Sequence, residues 1–105
     1  VERARVAVEV TGAVATCRVG GEIDIAGSPR LVVAGREALR AGAARLVVDL
    51  TAVSFADSSA VGALLNLQRS ATRRRASVEV VCREGPLLEL FRATRTERLL
   101  NVRVG

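Results

Sequence analysis

Val6, Val8 and Val10 recur at every second position in RVAVEVTG (5–12), and AVATCRVG (13–20) follows as a second short apolar stretch. Period two places alternate side chains on one face of a strand. Thr11-Gly12 between the stretches supplies a turn, so the chain is expected to open with two joined strands. After GGEIDIAG the spacing becomes helical. SPRLVVAGREALRAG offers Ser28 as an N-cap and Pro29 at the first helical position. Leu31, Ala34, Ala38 and Ala41 trace one face, Arg36, Glu37 and Arg40 form the polar side, and Gly42 provides a stop.

ARLVVDL carries an apolar run from Leu46 to Leu50 broken only by Asp49, which fits a central strand covered on at least one face. A second helix is expected from about Ser58 to Arg74, with Val61, Leu64, Leu65 and Gln68 at helical spacing and Asn66, Arg69 and Arg73 on its wet face. SVEVVC reads as a strand and PLLELFRAT as a helix with Leu87, Leu90 and Phe91 on one side. LLNVRV reads as the last strand. The order ββαβαβαβ predicts one α/β domain over residues 1–105, with a mixed, mostly parallel sheet of about five strands, right-handed crossovers and helices packed on it.

Composition narrows the function classes. Half of the residues are apolar and the charged ones are scattered, as in a globular domain. No apolar run approaches the roughly 20 residues needed to cross a bilayer, so no membrane span is expected. The chain begins at Val1 rather than methionine, which points to a missing upstream stretch. VERARVAVEV lacks the apolar core of a signal peptide, and a cytoplasmic protein is expected. A net charge of +5 suggests nucleic acid at first sight. All sixteen basic residues are arginine, however, which resembles a GC-rich codon bias, and RRR at 73–75 is their only cluster. Phe55 and Phe91 are the only aromatic residues, so base stacking has little to use. The arginine cluster is read as a solvated face at a helix end, favoured by the helix dipole, and no direct nucleic-acid partner is expected. Cys17 and Cys82, far apart and each in an apolar stretch, are expected as buried free thiols rather than a metal site.

The segment SFADSSAVGALL (54–65) holds the candidate chemistry. Asp57 and Ser58 fall at the start of the second helix, where unpaired N–H groups suit a capping oxygen or a bound anion, so either residue could be the N-cap. A nucleophilic serine needs a base within reach, and the chain has neither histidine nor lysine. The segment is not GxSxG, and GxxxxGK[ST] is absent. What remains is a serine acted upon by a partner's chemistry, and no enzyme activity is expected of this chain.

LVVDLTAVSFADSSAVGALL resembles the signature of the STAS domain of bacterial anti-sigma factor antagonists: an apolar strand ending Asp-Leu, a short segment to Asp-Ser-Ser, then a small-residue helix. GGEID (20–24) is similar to the family's Gly-Glu-Leu-Asp, and VEVVCREGPLLELFRATRTERLLNV to its closing strand, helix and strand. The resemblance spans essentially the whole chain. It implies a STAS-type fold and an antagonist that binds an anti-sigma factor with serine kinase activity, is released on phosphorylation, and so regulates sigma-factor-dependent transcription. It further implies Ser58 as the phosphoacceptor and no cofactor, and a PP2C-type phosphatase is a possible further partner. Asp57 would orient Ser58 or cap the helix and offer negative charge to a partner. Asp24 would touch the partner from the same sheet edge, and Ser59 would act as a cap or packing hydroxyl. Ala60, where the family usually has glycine, is counted with the partner-binding positions. So is Gly62, whose helix-interior cost of about 1 kcal/mol points to close approach of the sheet or of a partner. Arg95-Thr96 stands where the family commonly has Gly-Leu. The alternative is a STAS subunit that is never phosphorylated, in a stress-sensing complex or beside a transporter.

Overall fold

The computed structural model describes residues 3–105, so Val1 and Glu2 at the start of the expected domain lie outside it. Among the described residues the order is β1 (Arg5–Thr11), β2 (Val14–Ile23), α1 (Ser28–Arg40), β3 (Arg45–Ala56), α2 (Ser58–Arg73), β4 (Ser77–Cys82), α3 (Pro86–Ala93) and β5 (Val102–Val104). The strands form one sheet in the order β1-β2-β3-β4-β5, with β1 antiparallel to β2 and every other pair parallel. The expected ββαβαβαβ order and mostly parallel sheet are therefore both present.

Each crossover after β2 steps one strand in the same direction. With the usual right-handed sense this lays all the helices on one face of the sheet. The burial pattern agrees. Ala15, Cys17 and Val19 of β2, Leu46, Val48 and Leu50 of β3, and Val78, Val80 and Cys82 of β4 share one core with Leu31, Leu39, Leu64, Leu67, Leu88 and Phe91 of the helices. The opposite face is wet, and it explains the charge inside the central strand. Asp49 accepts from the Thr51 N–H and hydroxyl at 2.9 and 2.7 Å and from Arg18 at 3.3 Å. Glu79 pairs with Arg45 and Arg103 on the same face.

Several boundaries differ from expectation. β2 runs on through Gly20 and Gly21 to Ile23 and pairs with Ala52–Ala56, with register shifts at the glycines. Gly21 has φ +81°, which a bulge with left-handed backbone accommodates at little cost. α1 is capped at Gly27 with no side-chain bond, and Ser28 is already helical. Asp24 closes the turn that leads into α1, its Oδ1 accepting from the N–H groups of Ala26 and Gly27 at 3.1 and 2.8 Å.

The buried stripe of α1 is Leu31, Gly35, Ala38 and Leu39, rather than one through Ala34 and Ala41. A Cβ on Gly35 would come within 2.6 Å of Leu67, so this glycine lets α1 lie close against α2. In α2 the stripe is Ala60, Val61, Ala63, Leu64, Leu67 and Ala71, with Leu65 and Gln68 only half-buried. In α3 Leu88 and Phe91 are buried while Leu87 and Leu90 sit at the margin. The last strand is shorter than LLNVRV, because residues 97–101 form a turn that buries Leu100.

Arg95 has φ +56°, and Thr96 N–H closes α3 onto the Phe91 carbonyl at 3.0 Å. Position 95 is thus a left-handed helix exit, a conformation that favours the family's glycine. Cys17 and Cys82 are buried free thiols, as expected. Burial pushes the Cys17 thiol up to about 11.

Val48 is fully buried whereas Val47 faces the wet side. Val48→Ala is expected to cost about 2 kcal/mol in denaturant unfolding, and Val47→Ala less than about 1 kcal/mol, because only the former leaves a cavity.

Candidate functional site

β2 and β3 are parallel, so both end at the same edge of the sheet, where Asp57 N–H donates to the Ile23 carbonyl at 3.3 Å. That bond brings Asp24 and the Asp57-Ser58-Ser59 segment together, although more than thirty residues separate them in sequence. Of the two candidate N-caps for α2, Asp57 is the one used. Its backbone is extended and its Oδ1 accepts from the Ser59 N–H at 2.9 Å and also from the Ser59 hydroxyl. The Ser59 hydroxyl bond, then its N–H bond, hold the Asp57 carboxyl below its ordinary 3.8. Ser59 is therefore tied to the helix cap through both its N–H and its hydroxyl.

Ser58 lies between these two and differs from both. It is exposed at the first position of α2, and its hydroxyl makes no hydrogen bond to any described residue. The free N–H groups and positive dipole end of a helix adjoin it.

Ala60 and Gly62 are placed differently from one another. Ala60 is fully buried, packed in the core with Leu64, and its methyl presents nothing to a partner. Gly62 is exposed with nothing within 4 Å of where its Cβ would be, so the sheet does not approach it. Instead it opens a shallow groove of about 390 Å³ between the N-terminal halves of α1 and α2, lined also by Ser28, Val33 and Asn66. Asn66, expected on the wet face, is half-buried, and its Oδ1 is buried without a hydrogen-bond partner among the described residues.

Sequence reasoning passed over the apolar residues around this edge. Ile25 is 82% exposed, Val33 56% and Phe55 51%. The cause for Phe55 is topological: β4 pairs with β3 only as far as Asp49–Val81, so the second half of β3 has a strand on one side alone. The available signal was two large apolar residues, Ile25 and Phe55, each within two positions of an acid. No cluster of three or more metal-ligating side chains occurs among the described residues. No helix there is long and apolar enough to cross a membrane.

The model of the family described as "Mlab, STAS domain" matches residues 6–101, and the chain belongs to the STAS domain family. No curated protein matches it by sequence. Among solved structures it is similar to an anti-sigma factor antagonist from Mycobacterium paratuberculosis, with TM-score 0.85, 24% identity, and coverage of 94% of this chain and 84% of that one. It is also similar to the anti-sigma factor antagonist SpoIIAA in its unphosphorylated form, with TM-score 0.82, 17% identity and 96% and 88% coverage. The Bacillus cell fate determinant SpoIIAA in the phosphorylated form gives TM-score 0.73, 18% identity and 96% and 91% coverage. At these identities the likeness establishes the fold.

The depressed Asp57 value has a defined consequence for acid stability. Its contribution is complete above the ordinary 3.8 and is lost as pH falls through the lower folded value. Asp57→Ala is expected to lower the melting temperature at neutral pH and to flatten the fall in stability on acidification. Thermal melts across the acid range read both effects.

Proposed function

We propose that the chain is an anti-sigma factor antagonist that docks its partner at the N-terminal end of α1 and α2 and is released when Ser58 is phosphorylated. The observation that carries this reading is the contrast within Asp57-Ser58-Ser59: the acid and the second serine are bonded to each other, while Ser58 stands exposed and unbonded. The names of the similar solved structures support it.

The partner is an anti-sigma factor carrying serine kinase activity, which supplies the base and the nucleotide that this chain lacks. The Ser58 Oγ–phosphorus bond forms as the bond from the γ-phosphorus to the β,γ-bridging oxygen of ATP breaks, ADP leaves with that electron pair, and the hydroxyl proton goes to the kinase's base. A PP2C-type phosphatase would reverse the step by hydrolysis, with both reactions in the cytoplasm. Ile25, Val33 and Phe55 are the apolar anchors, Asp24 and Asp57 the polar rim, and the Gly62 groove receives a partner donor for Asn66 Oδ1.

Phosphorylation adds a charge of about −1.5 to −2 at Ser58. Within the chain the helix dipole tolerates it. Across the interface the same group must be desolvated beside Asp57 and Asp24, and unpaired buried charge is costly. A loss of about 3 kcal/mol corresponds to more than a hundredfold in affinity, enough for release without refolding.

Ser58→Asp is therefore expected to keep the native circular dichroism and melting temperature but to lose anti-sigma factor binding. Ser58→Ala should bind and remain bound in the presence of ATP, and intact mass should show one phosphate on the wild type only. Phe55→Ala and Ile25→Ala should each weaken binding by roughly tenfold or more. Equal affinities for wild type, Ser58→Asp and Ser58→Ala would leave Ser58 a helix-start residue and favour the never-phosphorylated subunit.

A further inference from the structure

α1 and α2 each connect parallel strands, so their C-terminal ends lie together at the end of the helix layer opposite Ser58. There Arg36 and Arg40 of α1 face Arg73 and Arg74 at the end of α2 across an open groove of about 360 Å³, with Leu39 and Ser70 completing its lining. The helix dipole favours cations here, which accounts for one or two arginines. It does not account for four converging on one cavity.

Nor are they used as caps. Several last-turn carbonyls are taken by backbone donors: Glu37 and Leu39 by Ala41 and Gly42, Ala71 and Thr72 by Arg74, Arg75 and Ala76. None of the four guanidinium groups makes a hydrogen bond or ion pair with a described residue. Glu37, their neighbour on α1, pairs with neither Arg36 nor Arg40. Arg18, Arg45, Arg92 and Arg103 are matched to carboxylates. Arg69, Arg75, Arg83, Arg95 and Arg98 are unpaired among the described residues like the four but do not line this groove, so what sets the four apart is their convergence on one cavity.

We propose that this groove binds a compact polyanion bearing two or more phosphate groups, held by Arg36, Arg40, Arg73 and Arg74. Guanidinium forks match phosphate oxygens in pairs, and four of them around one cavity suit a dense charge better than a single carboxylate. The cavity falls within the roughly 300–1,000 Å³ of small-ligand sites. Ser70 adds a hydroxyl donor. No aromatic side chain lines the site, since Phe55 stands on β3 and Phe91 is fully buried in α3, so the recognition argued here is of the phosphates. A duplex would instead call for cations spread along a track to follow its evenly spaced phosphates.

Inorganic tripolyphosphate is the probe, titrated calorimetrically into the full chain and followed by thermal melts. Saturable binding of one tripolyphosphate per chain, with a melting temperature that rises with its concentration, is expected. Arg40→Ala combined with Arg73→Ala should weaken binding at least about tenfold, and the Arg40→Lys, Arg73→Lys pair should also weaken it because the paired forks are lost. Arg18→Ala, on the far face of the sheet, should bind as the wild type does.

Vesicles of phosphatidylcholine containing phosphatidylinositol bisphosphate separate two sources of the same chemistry. Binding to tripolyphosphate alone assigns a free phosphate compound, and groove-dependent binding to both assigns a lipid headgroup. Absence of saturable tripolyphosphate binding, equal binding by the Arg40→Ala, Arg73→Ala variant, or binding to random duplex DNA in its place would overturn the proposal.

Discussion

From Val14 opposite Arg45 to Ile23 opposite Ala56, β2 and β3 run side by side in parallel, and the end of that ladder is where α1 and α2 begin. Parallel strands need a long crossover, so pairing them forces the chain through a helix and back. The same pairing fixes where each helix starts, because Asp24 leaves β2 and Asp57 leaves β3 at one edge. The candidate site thus consists of residues distant in sequence and exists only when this non-local ladder has formed. The closure entropy of bringing the two strands together is spent before either serine has its surroundings.

One-sided layering follows from the sheet order and has an electrostatic counterpart. The helix-covered face is apolar, and the bare face carries the Arg18–Asp49 and Glu79–Arg45–Arg103 pairs. Pairs this exposed contribute little stability, and their effect is to keep an uncovered sheet solvated and unattractive to other sheets. The α1–α2 layer is polarised along its length, with Asp24 and Asp57 at its starts and arginines at its ends, each sign at the dipole end that favours it.

Much of this was legible in the sequence. The change from period two to helical spacing gave the element order, and the break at Asp57 located the second helix start. What was not legible depended on neighbours. Ser28 reads as a cap in isolation, but Asp24 closes a turn ahead of it that leaves Gly27 at the cap, which the one-dimensional pattern does not reveal. Gly35 carries no signal of its own in the sequence, and its role is visible only with Leu67 against it. Gly20-Gly21 reads as the end of β2, although a bulge carries the strand through them. Phe55 lies beyond the apolar run that ends at Leu50, yet β3 continues through it, and the early departure of β4 leaves it exposed. Ala60 and Gly62, two positions apart in the signature, separate into core and groove because a helix turns about 100° per residue.

Cys17 and Cys82 lie on the core side of β2 and β4, on either side of the central strand, with no reactive thiolate at neutral pH. A thiol reagent reaches them only when the sheet parts from its helices. Their labelling rate is then the intrinsic thiol rate multiplied by the opening equilibrium. The molecule thus carries two native clocks on different strands. Equal rates would mean that the sheet opens as one unit, and a faster Cys82 that the edge bearing β5 opens first.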